Sequence, residues 1–233
     1  MTPSNADILI RRVRAEGRQS MTETESKKLL ASYGVPVARD RPAENAREAV
    51  LQAQKIGYPV VVKGHGAKLQ HKTERGLVKT NLKSAKEVRE AFRAIRASAG
   101  ADWEGCIVSP LIAGSREWVA GLIRDVQFGP VVMFGLGGIF VEVLKDVVFR
   151  VAPISVEEAL RMQNEIRSAA ILDGTRGELP RDKAALAKAL AAYAYMVDDL
   201  KDEVAESDAN PVILYEAGKG VKVVDARIIL TKK

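Results

Sequence analysis

Residues 59–80, PVVVKGHGAKLQHKTERGLVKT, constrain the fold of this chain more than any other stretch. Pro59 to Lys63 is apolar and β-branched up to its last residue, so it reads as a buried strand that ends on a lysine. The loop GHGAKLQHKTERG follows, without a helical pattern, and the chain returns as a second short strand from Leu77 to Thr80. A strand that comes back through a loop is not a βαβ unit. Strict strand–helix alternation is missing from the rest of the chain too, which argues against a doubly wound sheet.

The remaining pattern is of helices inserted between strand pairs. Thr22 and Glu25 have capping-box spacing ahead of Leu29, Leu30 and Tyr33, and Gly34 supplies the stop. Glu44–Ile56 repeats the helical period with Ala46, Val50, Ala53 and Ile56 inward. Ser84 and Glu87 cap a helix with Val88, Phe92 and Ile95 on one face, and Gly105–Ser109 reads as a strand. Strand-like runs follow at Glu117–Ile123, Pro130–Phe134 and Phe140–Ala152. A helix capped by Ser155 and Glu158 runs to about Leu172, and an Ala-rich helix spans Asp182–Leu200. Two closing strands are expected, Glu203–Leu214 around Pro211 and Val221–Ile229. The expected fold class is α+β, in two lobes behind an N-terminal helix. The divisions are 1–20 for the helical segment, 21–108 for the first lobe and 109–233 for the second.

Composition excludes several classes. No apolar run approaches the roughly 20 residues a membrane span needs, and the N-terminus lacks a signal-peptide pattern. A single cysteine, Cys106, rules out an internal disulfide framework and fits a reducing cytoplasm. Two histidines and one cysteine are too few for a usual zinc site, so any metal should be a hard, oxygen-bound ion. The net charge of +6 is scattered. Its densest cluster, Arg11, Arg12, Arg14 and Arg18, lacks interleaved aromatics, which argues against nucleic acid and for a solvated helix face or a partner contact.

Several residues carry possible chemistry. Gly135-Leu136-Gly137-Gly138 misses the dinucleotide spacing and is followed by strand rather than helix, so it reads as a turn of close backbone packing or ligand approach. Lys63 is either the point where a buried strand meets water or a fixed charge beside phosphate oxygens. Glu117 is a surface charge or a ribose or metal contact. Glu206, Asp208 and Asn210 share a face by period-2 alternation. Asn210 and Asp225 are then either strand-end polar residues or oxygen ligands for Mg²⁺. Both histidines lie in the 59–80 loop, between the candidate hinges Gly66 and Gly76 or beside them. His71 is either an idle loop residue or a mobile imidazole able to attack a phosphoryl group. His65 reads as a phosphate neighbour or a plain loop residue.

PVVVK, followed eight residues after its lysine by HKTERGLV, resembles the β-subunit of the NDP-forming acyl-CoA synthetases, the ADP-forming acetate–CoA ligases. The resemblance takes in SREWVAGLIRDVQFGPVVMFGLGGIFVEVLKDVVFRVAP and the closing ESDANPVIL…VVDARIIL, and covers the chain from about Ile8. It implies an ATP-grasp fold with the nucleotide between two lobes and a mechanism similar to that of succinyl-CoA synthetase. Lys63 would contact nucleotide phosphates. Ser109, Pro110, Leu111 and Ile112 would form the connector whose backbone meets adenine. Glu117 would contact ribose or metal, and Asn210 with Asp225 would hold Mg²⁺. His71 would carry phosphate between ADP or ATP and a phosphohistidine on a CoA-binding α-subunit, in an α2β2 assembly. The chain departs from the family pattern at Ser109, where many ATP-grasp proteins have Glu or Gln, and at Gly76-Leu77, where relatives often have Gly-Gly. Two rivals use the same nucleotide site: a carboxylate–amine ligase, which needs no loop histidine, and a non-catalytic nucleotide-sensing subunit.

Overall fold

The computed structural model describes residues 4–67, 69, 72–112, 117–137, 145–175 and 177–232. Two compact units emerge, residues 38–113 and a discontinuous one of residues 1–37 with 114–233. This grouping differs from the expected 21–108 and 109–233. The chain opens with α1 (Asn5–Ala15) and α2 (Glu23–Ser32), and both belong to the discontinuous unit. Helix α2 packs against the last strand of the chain, and the Met21 N–H donates to Ile228 O at 3.0 Å.

In the smaller unit β1 (Arg41–Ala43), α3 (Ala46–Ile56), β2 (Val60–His65), β3 (Val78–Leu82), α4 (Ala85–Ala99) and β4 (Gly105–Pro110) follow in order. The strands form an antiparallel sheet of order β1-β4-β2-β3. Ala49, Val50 and Ala53 of α3 and Val88, Phe92 and Ile95 of α4 pack on Val60, Val62 and Val108. The apolar stripes that the helical period requires therefore meet alternate residues of the sheet. Ser84 caps α4 as expected, but the Glu87 carboxylate reaches back to the Lys83 N–H at 2.9 Å as well as to the Ser84 hydroxyl.

The larger unit continues with β5 (Glu117–Asp125), β6 (Gly129–Leu136), β7 (Val147–Val151), α5 (Val156–Glu165), α6 (Ala169–Leu172) and α7 (Lys183–Asp199). It closes with β8 (Val204–Leu214), β9 (Val221–Val223) and β10 (Ala226–Leu230). The sheet order is β10-β8-β5-β6-β7, with β9 also on β8, and the described pairings are antiparallel. One face carries the core. Trp118 stacks on Phe134 at 5.7 Å, and Ala120, Leu122, Val132 and Ala209 pack with Met162 of α5 and Leu190 and Tyr193 of α7.

Four expectations need correcting. Within the described part of the stretch expected as a strand over Phe140–Ala152, the strand spans Val147–Val151. Lys145 has φ 48°, a left-handed conformation that interrupts extended backbone, and residues 138–144 lie outside the described residues. The helix expected to reach Leu172 stops at Glu165, where Ile166 turns extended, and resumes as α6. Strand β8 runs through Pro211 without a break, whereas the last expected strand breaks in two at Val224-Asp225. Within the basic N-terminal cluster Arg11 and Arg12 stay exposed, as a solvated face requires, whereas Arg14 and Arg18 are drawn into the protein. Arg12 and Arg18 donate to Glu25 at 2.8 and 3.0 Å, and Arg14 donates to Glu203 and to Thr231 O.

Candidate functional site

In the smaller unit Lys63 does not end its strand, because β2 runs on to His65. Val60 and Val62 point into the helix-covered core, so alternation places Lys63 on the opposite face, where its register neighbours are Val78 and Ile107. Its side chain is 6% exposed, far too buried for a lysine that merely meets water. Ser109 pairs with Val61, and its buried hydroxyl donates to Asp40 Oδ1 at 2.7 Å. That hydroxyl is therefore turned into the protein. Pro110 closes β4, and the Leu111 N–H donates to Pro59 O at 3.1 Å, which ties Leu111 and Ile112 to the start of β2. His65 pairs with Gly105 at the end of β2, and its carbonyl accepts from the Glu104 N–H. His71 lies outside the described residues. Of the two candidate hinges, Gly76 has φ 69°, and a Cβ on Gly66 would stand 2.3 Å from Asp102 O. Close packing thus accounts for Gly66, and backbone conformation for Gly76.

In the larger unit Glu117 opens β5 with an exposed side chain. Its carbonyl accepts from the Gly137 N–H at 2.7 Å, and a Cβ on Gly137 would lie 2.9 Å from the same carbonyl. Gly135 is equally constrained, with Asp146 O 2.3 Å from where its Cβ would stand. Gly135 and Leu136 are thus strand rather than the expected turn, and Gly135 and Gly137 are places where backbones come close. Asp146 is buried, and its carboxylate accepts from the N–H groups of Arg167 and Ser168 at 2.7 and 2.8 Å. Burial opposes ionisation there, but these bonds hold the carboxyl below its ordinary range.

Asn210 and Asp225 are brought together by the break in the last strand. Strand β9 pairs with β8 through Val223–Val212, and β10 pairs with it through Ala226–Ala209. Across the gap the Asn210 N–H donates to Asp225 O at 3.1 Å, and the Val224 N–H donates to Pro211 O at 2.9 Å. Asp208, two residues before Asn210 on the same face, lies between Gly121 and Arg227 in register. Its carboxyl is pushed up to about 6, first by burial and then by the charge of Asp225, with Arg227 opposing. Asp208 was visible in the 206/208/210 alternation, but nothing in the sequence singled it out from Glu206.

The donor set suits a hard cation. The charge of Asp225 helps to raise the Asp208 carboxyl, a divalent ion would offset that repulsion, and the Asn210 amide oxygen would add a neutral ligand. Among the described residues no group of three His, Cys, Asp or Glu side chains could hold a metal. No helix among the described residues is long and apolar enough to cross a membrane.

Residues 12–230 match the family described as an ATP-grasp domain. The β-subunit of the ADP-forming acetate–CoA ligase I of Pyrococcus furiosus is 46% identical over 232 residues, covering 97% of this chain and 98% of that one. The β-subunit of ligase II from the same organism is 43% identical over 227 residues, covering 95% and 96%. Among solved structures, the dinucleotide-forming acetyl-coenzyme A synthetase 1 of Ca. Korarchaeum cryptofilum is similar with TM-score 0.91 at 43% identity, over 97% of this chain and all of that one. That structure is a complex with coenzyme A and Ca-AMPCP. In another, with Mg-AMPPCP, the phosphohistidine segment points towards the nucleotide-binding site, and the TM-score is 0.86 at 42% identity over 97% and 100% of the two chains. The chain belongs to the ATP-grasp family, among the β-subunits of the ADP-forming acetate–CoA ligases.

Proposed function

We propose that this chain is the nucleotide-binding subunit of an ADP-forming acyl-CoA synthetase, which catalyses acyl-CoA + ADP + phosphate ⇌ carboxylic acid + CoA + ATP. The observation that carries the reading is the coupling of Asn210 to Asp225 beside the raised carboxyl of Asp208. It is an oxygen-donor cluster on a sheet face that the core does not use. End-to-end similarity to β-subunits, and to a relative solved with Mg-AMPPCP, supports ADP or ATP with Mg²⁺ as its ligands.

Within that reading Asn210 and Asp225 would hold Mg²⁺, which would supply positive charge to offset that of the nucleotide phosphates. Lys63 adds a fixed charge to the phosphates, and burial strengthens its pull. Ser109 to Ile112 meet the adenine through their backbone, since the Ser109 hydroxyl is spent on Asp40. Glu117 contacts ribose or metal. His71 accepts the phosphoryl group from a phosphohistidine on a CoA-binding α-subunit and passes it to ADP. Each transfer breaks one P–N bond as the next P–N or P–O bond forms, and the reverse direction starts from ATP. Positioning and charge neutralisation supply the catalysis. The assembly is α2β2 and the setting cytoplasmic, in keeping with the single cysteine.

The test is turnover with the α-subunit supplied. His71→Ala should abolish acyl-CoA-dependent ATP formation while Mg²⁺-dependent ADP binding persists, and retained turnover would remove the relay.

A further inference from the structure

Lys27 is only 3% exposed, on the second turn of α2. Lysine is rarely so buried without a partner, and here the partner is Glu23, one turn earlier and itself 6% exposed, with Nζ 3.2 Å from Oε1. As a source of stability the pair is a poor device. Desolvating both charges offsets most of their attraction, and an apolar pair of similar volume would serve as well.

A further bond gives the pair a purpose. Lys27 Nζ donates to Val224 O at 2.8 Å. Val224 sits in the gap between β9 and β10, immediately before Asp225. On its other side the gap is tied to β8 by the Val224 N–H to Pro211 O and by the Asn210 N–H to Asp225 O. Helix α2 is itself fixed. Its N-terminus is closed by the reciprocal Thr22–Glu25 capping box, and the Met21 N–H reaches Ile228 O on β10. The ammonium is therefore a rigid strut from a helix to the peptide that precedes Asp225.

We infer that Lys27, held by Glu23, is a positioning residue for Asp225, fixing the β9–β10 break so that the Asp225 carboxylate stays in register with Asn210 for a divalent cation. The inference rests on the reading of Asn210 and Asp225 as the Mg²⁺ ligands. Loss of a group that orients a metal ligand weakens the metal by about 10–100-fold. Binding of nucleotide without metal does not depend on the strut.

The experiment compares the full wild-type chain with Glu23→Leu/Lys27→Met and with Asp225→Asn, using Mn²⁺ with ADP followed by electron paramagnetic resonance, and ADP alone by calorimetry. Replacing both members of the pair avoids stranding a buried charge. The expected result is an Mn²⁺·ADP affinity at least about tenfold weaker in both variants, with metal-free ADP affinity unchanged. If Asp225→Asn weakens Mn²⁺ binding and the paired variant does not, the positioning role is wrong and the metal site stands. If Asp225→Asn has no effect, the metal site is wrong and the inference falls with it. Should the paired variant not fold, the wild-type chain decides. The ¹⁵Nζ resonance of Lys27 should shift on adding Mg²⁺·ADP but not ADP alone, and an unmoved resonance overturns the inference.

Discussion

The Asn210 N–H donates to the carbonyl of Asp225 at 3.1 Å, across the gap left where the last strand of the sheet breaks in two. This bond makes the two residues one rigid unit. It also explains why the break falls where it does, since β9 and β10 flank opposite halves of the same partner strand.

Replacing Asp225 by Asn keeps that backbone bond and removes one carboxylate. Mg²⁺-dependent ADP binding should weaken about 10–100-fold by calorimetry, with the fold unchanged by circular dichroism. Affinity equal to wild type would remove Asp225 from the metal site.

Lys63 faces away from the helix-packed core, so Lys63→Met should leave the smaller unit folded. The loss of a charge-assisted bond to phosphate should cost about 1.5–3 kcal/mol, roughly a tenfold to hundredfold fall in ADP affinity. Adenosine, which has no phosphate, should bind both forms alike.

Gly137→Ala places a methyl group 2.9 Å from the Glu117 carbonyl, with backbone rather than a flexible side chain in its way. Destabilisation of about 1–3 kcal/mol should appear in thermal denaturation. An unchanged melting temperature would show that Gly137 is not in this contact with β5.

Glu25 is a pH sensor for stability. Burial raises its carboxyl, but bonds from Arg18, the Thr22 backbone and Arg12 more than offset this and hold it at about 2. The folded value lies below the unfolded one of about 4.5, so the unfolded chain binds the extra proton. The contribution is complete above pH 4.5 and is lost as pH falls towards 2. Glu25→Gln should therefore lower stability on the order of 2–3 kcal/mol at neutral pH, and the difference from wild type should shrink in acid melts.

The sequence showed the repeating parts of this fold and left the exceptional ones hidden. Capping residues at Thr22 and Ser84 and the apolar stripes of α3, α4 and α7 were legible because helical periodicity is local. The break at Val224-Asp225 was not, since the pairing with β8 that divides β9 from β10 is made with residues remote in sequence. Lys63 was legible as a candidate, yet its burial depends on a sheet face that only the assembled strands define. Lys27 carries no local mark of its place, because its bond to Val224 spans nearly the whole chain. Arg14 misled for the same reason, because its partners Glu203 and Thr231 are remote in sequence.

Transfer of phosphate to His71 is read most directly by labelling the chain with Mg²⁺ and ATP carrying a radioactive γ-phosphate. The wild-type protein should carry an acid-labile, base-stable phosphate, retained in His65→Ala and absent from His71→Ala. Label that persists in His71→Ala, or a wild-type chain that takes none while binding Mg²⁺·ATP, would contradict it.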